Sequence, residues 1–151
     1  MSESLFDVLR AQSFLGGLTD WQLQQLTLRA RRSIFHAGSR VFREGDPADR
    51  MWLILTGRVA VDTDVDGHDT VVVEHLGSGA VLGWAWLVPP HRWRFGAVAV
   101  ETTHTVEIDG SALRELCHAN PILGFRMALG ILEVMSERLQ ATRHRLAVPK
   151  R

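Results

Sequence analysis

The densest run of interacting side chains in this sequence lies between residues 83 and 95. It reads Gly83, Trp84, Ala85, Trp86, Leu87, Val88, Pro89, Pro90, His91, Arg92, Trp93, Arg94, Phe95. Four aromatic rings (Trp84, Trp86, Trp93, Phe95) are interleaved with His91, Arg92 and Arg94. Ring faces stack on planar groups, and guanidinium groups attract negative charge, so this combination suits a planar anion. Pro89-Pro90 stiffens the run. A single alternative weighs against a ligand: the tryptophans fill the space themselves, and the arginines face solvent or pair with acids.

Other groupings carry less. Asp62, Asp64, Asp66 and Gly67 begin like a calcium loop, but the twelfth position is Val73 and Glu74 comes one residue late. A solvated hairpin accounts for them. The seven histidines (His36, His68, His75, His91, His104, His118, His144) stand singly, with no His-x-His pair, so no metal site is expected. No serine sits in a nucleophile-elbow motif, and Cys117 falls on an ordinary apolar helix face. No catalytic residue is assigned, and the chain is not expected to be an enzyme. Arg138, Arg143, His144, Arg145, Lys150 and Arg151 read as a solvated basic helix face.

A chain of 151 residues with 46% apolar content suits one domain with a real core. Equal counts of 17 basic and 17 acidic residues argue against binding nucleic acid or membrane by bulk charge. One cysteine excludes a disulfide framework. The N-terminus lacks the apolar stretch of a signal peptide, and no run is long enough to span a membrane. A cytoplasmic location is expected.

The elements that hold the 83–95 run follow from periodicity. Residues 1–32 read as N-terminal helices: Leu5, Phe6, Val8 and Leu9 make one stripe, Gly16-Gly17 breaks it, and Thr19 with Gln22 has capping-box spacing. Residues 33–109 read as short β-branched strands at 34–35, 41–42, 51–55, 59–61, 71–73, 97–100 and 103–108, punctuated by glycines. Gly38, Gly45 and Gly57 fall at expected tight turns, and Asp66-Gly67 is a hairpin signal. Residues 110–148 return to helix. A short helix is expected over 111–118, and a long one over about 121–145, begun by Asn120-Pro121. Phe125, Leu132, Leu139 and Leu146 recur every seven residues, with Ala128, Met135 and Thr142 between them. That seam serves either the chain's own core or a parallel homodimer through residues 121–146. The fold class is mainly β with flanking helices: a jelly-roll or double-stranded β-helix.

Three stretches carry a resemblance. They are Phe35-His36-Ala37-Gly38 with Val41 to Asp49, then Leu53-Ile54-Leu55-Thr56-Gly57-Arg58-Val59, then Leu76-Gly77-Ser78-Gly79 with Val81-Leu82-Gly83 and Arg94 eleven residues on. Together they resemble the cyclic-nucleotide-binding domain family, as in the sensor domains of catabolite activator proteins and kinase regulatory subunits, over about residues 14–146. The resemblance implies that Gly83-Trp84-Ala85-Trp86-Leu87 forms a short helix whose amides face a phosphate, and that Arg94 neutralises it. Two positions depart from the family pattern. Trp84 stands where the family has a glutamate for the ribose hydroxyl, and Phe95 stands where a small or hydroxyl residue completes the cradle. The lost carboxylate contact is worth roughly 1.5–3 kcal/mol, so ordinary cyclic AMP is not the expected ligand.

The sequence therefore predicts a free-standing regulatory module whose pocket has altered chemistry and takes another cyclic nucleotide or a small anion. Its site residues would be Gly83, Trp84, Ala85, Arg94 and Phe95, with Arg92 and Trp86 as secondary candidates. The alternative is a ligand-free module for homodimerisation or binding a partner protein. No cofactor and no DNA-reading helix-turn-helix are expected, since only five residues follow Leu146.

Overall fold

The computed structural model describes residues 3–65 and 69–147. The hairpin signal at Asp66-Gly67, His68, and the basic Lys150 and Arg151 lie outside these residues.

Among the described residues, eight strands form two four-stranded antiparallel sheets packed as a jelly roll. In chain order they are β1 (Ala30–Phe35), β2 (Arg40–Phe42), β3 (Arg50–Thr56), β4 (Val59–Val65), β5 (Asp69–Leu76), β6 (Val81–Leu82), β7 (Gly96–Ala99) and β8 (Thr103–Asp109). One sheet runs β1-β8-β3-β6 and the other β2-β7-β4-β5. Before the roll come α1 (Leu5–Arg10), a 3-10 turn (Ser13–Leu15) and α2 (Asp20–Thr27); after it come α3 (Gly110–Ala119) and α4 (Pro121–Ala147). The expected fold class holds. So does the capping box on α2, where Thr19 and Gln22 exchange both bonds.

Strand β3 divides the core by simple alternation. Met51 and Leu53 join Val106, Ile108, Leu113, Leu123 and Met127 under the helices. Trp52 and Ile54 point the other way, into the space between the sheets, with Val59, Val61, Trp93 and Ala97. A strand buried on both faces reads as a continuous apolar run, which is the Met51–Leu55 pattern. Gly38, Gly45 and Gly57 all have positive φ, as their turns require.

Three local expectations change. Strand β1 starts at Ala30, inside the stretch read as helical, because Ala30–Phe35 pairs along the whole of β8. Strand β6 is only two residues long, too short to carry a periodic signal, and is held by Trp52 and Leu53 of β3. Asn120 does not use its side chain to open α4. Its amide donates back to the Leu116 carbonyl at 3.4 Å and so closes α3, while its own carbonyl accepts from Gly124 N–H at 2.9 Å.

The seam of α4 also differs. Leu123, Met127, Gly130 and Ile131 are buried against the domain. A Cβ on Gly130 would sit 2.4 Å from the Phe14 carbonyl oxygen, so only glycine lets the 3-10 turn lie on the helix here. Ala128, Met135 and Thr142 lean towards this face and are half-buried. The outward stripe is Ile122, Phe125, Leu129, Leu132, Leu139 and Leu146, all exposed. Phe125, Leu132, Leu139 and Leu146 are thus on a free seam, but their intermediate positions are Ile122, Leu129, Ser136 and Arg143. No helix among the described residues is long and apolar enough to cross a membrane.

Candidate ligand site between the roll and the long helix

The segment after β6 turns sharply at Gly83, whose φ is +90°. It does not form the expected helix. Residues 85–90 are turns and a bend, tied by Leu87 N–H donating to the Trp84 carbonyl at 3.0 Å. Without successive helical turns the segment carries no summed helix dipole. The tightness at Gly83 has another cause. A Cβ there would come within 2.7 Å of the Trp93 ring, so the glycine makes room for that indole.

Trp93 is placed by the Gly45-Asp46 turn. Gly45 N–H donates to the Trp93 carbonyl at 2.8 Å, and Trp93 N–H donates to the Asp46 carbonyl at 2.9 Å. This fixes the ring inside the roll. It stacks on Phe42 with centroids 3.9 Å apart and planes 13° from parallel, and it lies 5.8 Å from Trp52. Phe42 stacks in turn on Trp52 at 5.7 Å. Trp52 donates its indole N–H to the Glu107 carboxylate at 3.0 Å. That carboxylate also takes Arg31 at 2.5 Å and faces Arg50 at 3.8 Å. The buried acid is thereby neutralised, as burial demands.

What remains beside Gly83 is a cavity of about 30 Å³. Gly83, Trp84, Ala85, Arg94 and Phe95 all line it, so the structure brings the five leading candidates together. The two secondary candidates do not join them. Arg92 donates to the Gly45 carbonyl at 2.9 Å and pairs with Pro47 across an isolated bridge, which turns it outward. Trp86 is fully buried in the core beneath the helices, its indole nitrogen without a partner among the described residues and its carbonyl accepting from Arg114 at 2.7 Å.

Arg94 is exposed and lies over the Trp84 ring at 6.0 Å, the outer limit of a cation–π contact. It makes no ion pair among the described residues. Trp84 itself is half-buried and packs towards the helix-side core, so the ring that occupies the hollow is Trp93, not Trp84.

Five lining residues lie outside those candidates: Phe42, Val61, Leu82, Trp93 in its plugging role, and Arg138. Arg138 does not lie on the solvated basic face expected from the sequence. Instead it pairs with Glu74 of β5 and reaches the Val81 carbonyl at 3.5 Å, and burial pulls its guanidinium below its ordinary pKa. A signal existed, since Arg138 continues the buried helical stripe through Met127, Ile131 and Val134. The charged groups on the cavity wall are Arg94 and Arg138, both positive. Among the described residues no acid, base or nucleophile joins them on that wall. Cys117 sits elsewhere, between α3 and α4, where burial pushes its thiol up.

The cyclic nucleotide-binding domain model matches residues 32–120. A CRP-like cAMP-activated global transcriptional regulator of Mycobacterium tuberculosis is 25% identical over 142 residues, covering 93% of this chain and 61% of that protein. The chain thus spans under two thirds of the length of this relative. A solved structure from Geobacter metallireducens GS-15 superposes with a TM-score of 0.81 at 29% identity, covering 92% of this chain and 99% of that one. The regulatory domain of Toxoplasma gondii PKA, solved with cAMP, shares the fold at TM-score 0.75 and 16% identity, covering 88% of this chain and 49% of that one. With its roll, its glycine turns and the match from β1 to the end of α3, the chain belongs to the cyclic nucleotide-binding domain family.

Proposed function

We propose that this chain is a regulatory interaction module. It keeps the roll as a scaffold, holds α4 against it, and offers the outer stripe of α4 to a second copy of itself. No cyclic nucleotide is needed to complete the roll, because Phe42, Trp52 and Trp93 already fill it.

The observation that carries this reading is the size of the hollow. A cavity of about 30 Å³ admits one or two water molecules. Drug-sized and nucleotide-sized ligands occupy pockets of about 300–1,000 Å³. The stack of Phe42 on Trp93 would have to come apart before a nucleoside could enter. Calorimetry with cyclic AMP, cyclic GMP and cyclic dinucleotides is the direct test, paired with sedimentation of the unliganded protein. The expected result is no heat of binding together with dimer formation at micromolar concentration. Micromolar binding of any of these ligands would refute it.

One observation favours a second reading, a sensor for a small anion. Arg94 is free of acidic partners among the described residues and stands over Trp84 at the cavity mouth. A compact anion held there would lie near Arg138 as well, and so near α4. Arg94→Ala separates the readings: it should change neither melting temperature nor dimerisation if the module is ligand-free.

A further inference from the structure

The outer stripe of α4 has a regular spacing with two gaps in it. Ile122, Phe125, Leu129 and Leu132 alternate at intervals of three and four residues, and their exposures are 69%, 66%, 43% and 63%. Leu139 and Leu146 continue the same rows. The alternation requires two more seam residues, and these are Ser136 and Arg143. Intervals of three and four are the mark of a two-stranded coil. Six large side chains exposed to this extent amount to an area on the order of 600 Å² per protomer, or about 1,200 Å² in a dimer, enough for a stable one.

A charge in such a seam has a defined consequence. In a parallel coil each residue of this row faces its own copy, so Arg143 would meet Arg143 of the second chain. An antiparallel coil would instead press Arg143 against the Ile122–Phe125 end and bury its charge among apolar side chains, which is costly. The parallel arrangement confines that cost to one layer near the end of the helix. Nothing on the helix neutralises Arg143. The acids of α4, Glu133 and Glu137, lie ten and six residues before it, outside the three- or four-residue spacing at which helix side chains meet. Arg143 itself makes no ion pair among the described residues.

We propose that the paired Arg143 side chains form an anion site at the seam of a parallel α4 dimer, for a tetrahedral dianion of the phosphate class. Each chain supplies half of the site. Two guanidinium forks facing one another suit a phosphate, which accepts from both. With the anion absent, the two charges hold the last two turns apart; with it present, the coil closes through Leu139 and Leu146. The inference rests on the α4 homodimer proposed above.

The test measures dimer dissociation by sedimentation equilibrium in about 50 mM sodium phosphate and in sodium chloride of equal ionic strength, so that general screening cancels. Wild-type protein should dimerise about tenfold more tightly in phosphate, and Arg143→Leu should dimerise tightly in both salts. In a Cys117→Ser background, Arg143→Cys should form a covalent dimer on mild oxidation, which reports the parallel register. Wild type and Arg143→Leu dimerising alike, with the same response to phosphate, overturns the anion site and leaves the dimer standing. Both remaining monomeric overturns the dimer itself and the site with it.

Discussion

Glu74 on the edge strand β5 and Arg138 on α4 form an ion pair that ties the long helix to the far sheet of the roll. Their side chains keep 17% and 24% of their exposure. The pair is therefore largely withdrawn from water, and Arg138 adds a bond to the Val81 carbonyl on the other sheet. Removing the cation leaves Glu74 without a partner in a partly dry place. Arg138→Ala should cost about 2 kcal/mol, below the roughly 3–5 kcal/mol of a fully buried pair because both side chains keep some exposure, and lower the melting temperature by about 4–8 °C. Arg138→Met with Glu74→Gln should recover much of that loss, since neither charge is then stranded. A double variant as unstable as the sum of the two singles would show that the pair adds nothing.

Gly83 and Trp93 should behave as one unit. Gly83→Ala meets two obstacles: a backbone at φ +90° and an indole 2.7 Å from the new carbon. Strain of about 1–3 kcal/mol is expected from the backbone alone. Trp93→Ala should cost about 3–5 kcal/mol for the emptied space. In the double variant the steric part disappears while the backbone part stays, so the combined loss should fall short of the sum by about 1 kcal/mol or more. Chemical denaturation of the four proteins measures this. Strict additivity would mean that the ring and the turn are not in contact.

Much of this was legible in the sequence because it depends on local rules. A capping box, strand alternation and turn glycines each declare themselves within a few residues, and Thr19–Gln22 and Gly57 do so here. Gly83, Trp84, Ala85, Arg94 and Phe95 could be grouped because they lie within thirteen residues of one another. What the sequence hid was which ring fills the roll. Trp84 and Trp93 are chemically alike, and the choice between them is made by the Gly45-Asp46 turn, some forty-seven residues away from Trp93. Arg138 was hidden for a similar reason: a cation near a chain end reads as solvated, and only the fold brings Glu74 beneath it.

Glu107 should matter to the whole aromatic cluster. It is 6% exposed and accepts from the Trp52 indole, with Arg31 and Arg50 beside it. Glu107→Ala leaves a buried N–H without an acceptor, at a cost of about 1–3 kcal/mol, and leaves the two arginines without their acid. Trp52 should then loosen from Phe42 and Phe35. The expected readout is a lower denaturation midpoint together with a red-shifted tryptophan emission. Glu107→Gln keeps an acceptor for the indole and should retain most of the emission spectrum. If Gln perturbs the spectrum as much as Ala, the indole bond is not what holds Trp52.

Cys117 offers a check on how tightly α3 and α4 close. A Cβ on Gly124 would lie 3.0 Å from the Cys117 Cβ and from its carbonyl oxygen, so the glycine is what permits the approach. Burial pushes the Cys117 thiol up, which favours the neutral form in the folded state. The folded protein therefore holds its proton at a pH where the unfolded chain has released it. This group is neutral to stability below the ordinary thiol value of about 8.5, and stability declines as pH rises beyond it, by at most about 1.4 kcal/mol per unit. Cys117→Ala should remove that share of the alkaline decline. Alkylation by iodoacetamide near neutral pH should be slow in the native protein and fast after denaturation, because the thiolate is the reactive form. Gly124→Ala should wedge the helices apart and speed native alkylation at an unchanged denatured rate. Equal native rates with and without the added methyl would mean that the two helices do not shield the sulfur.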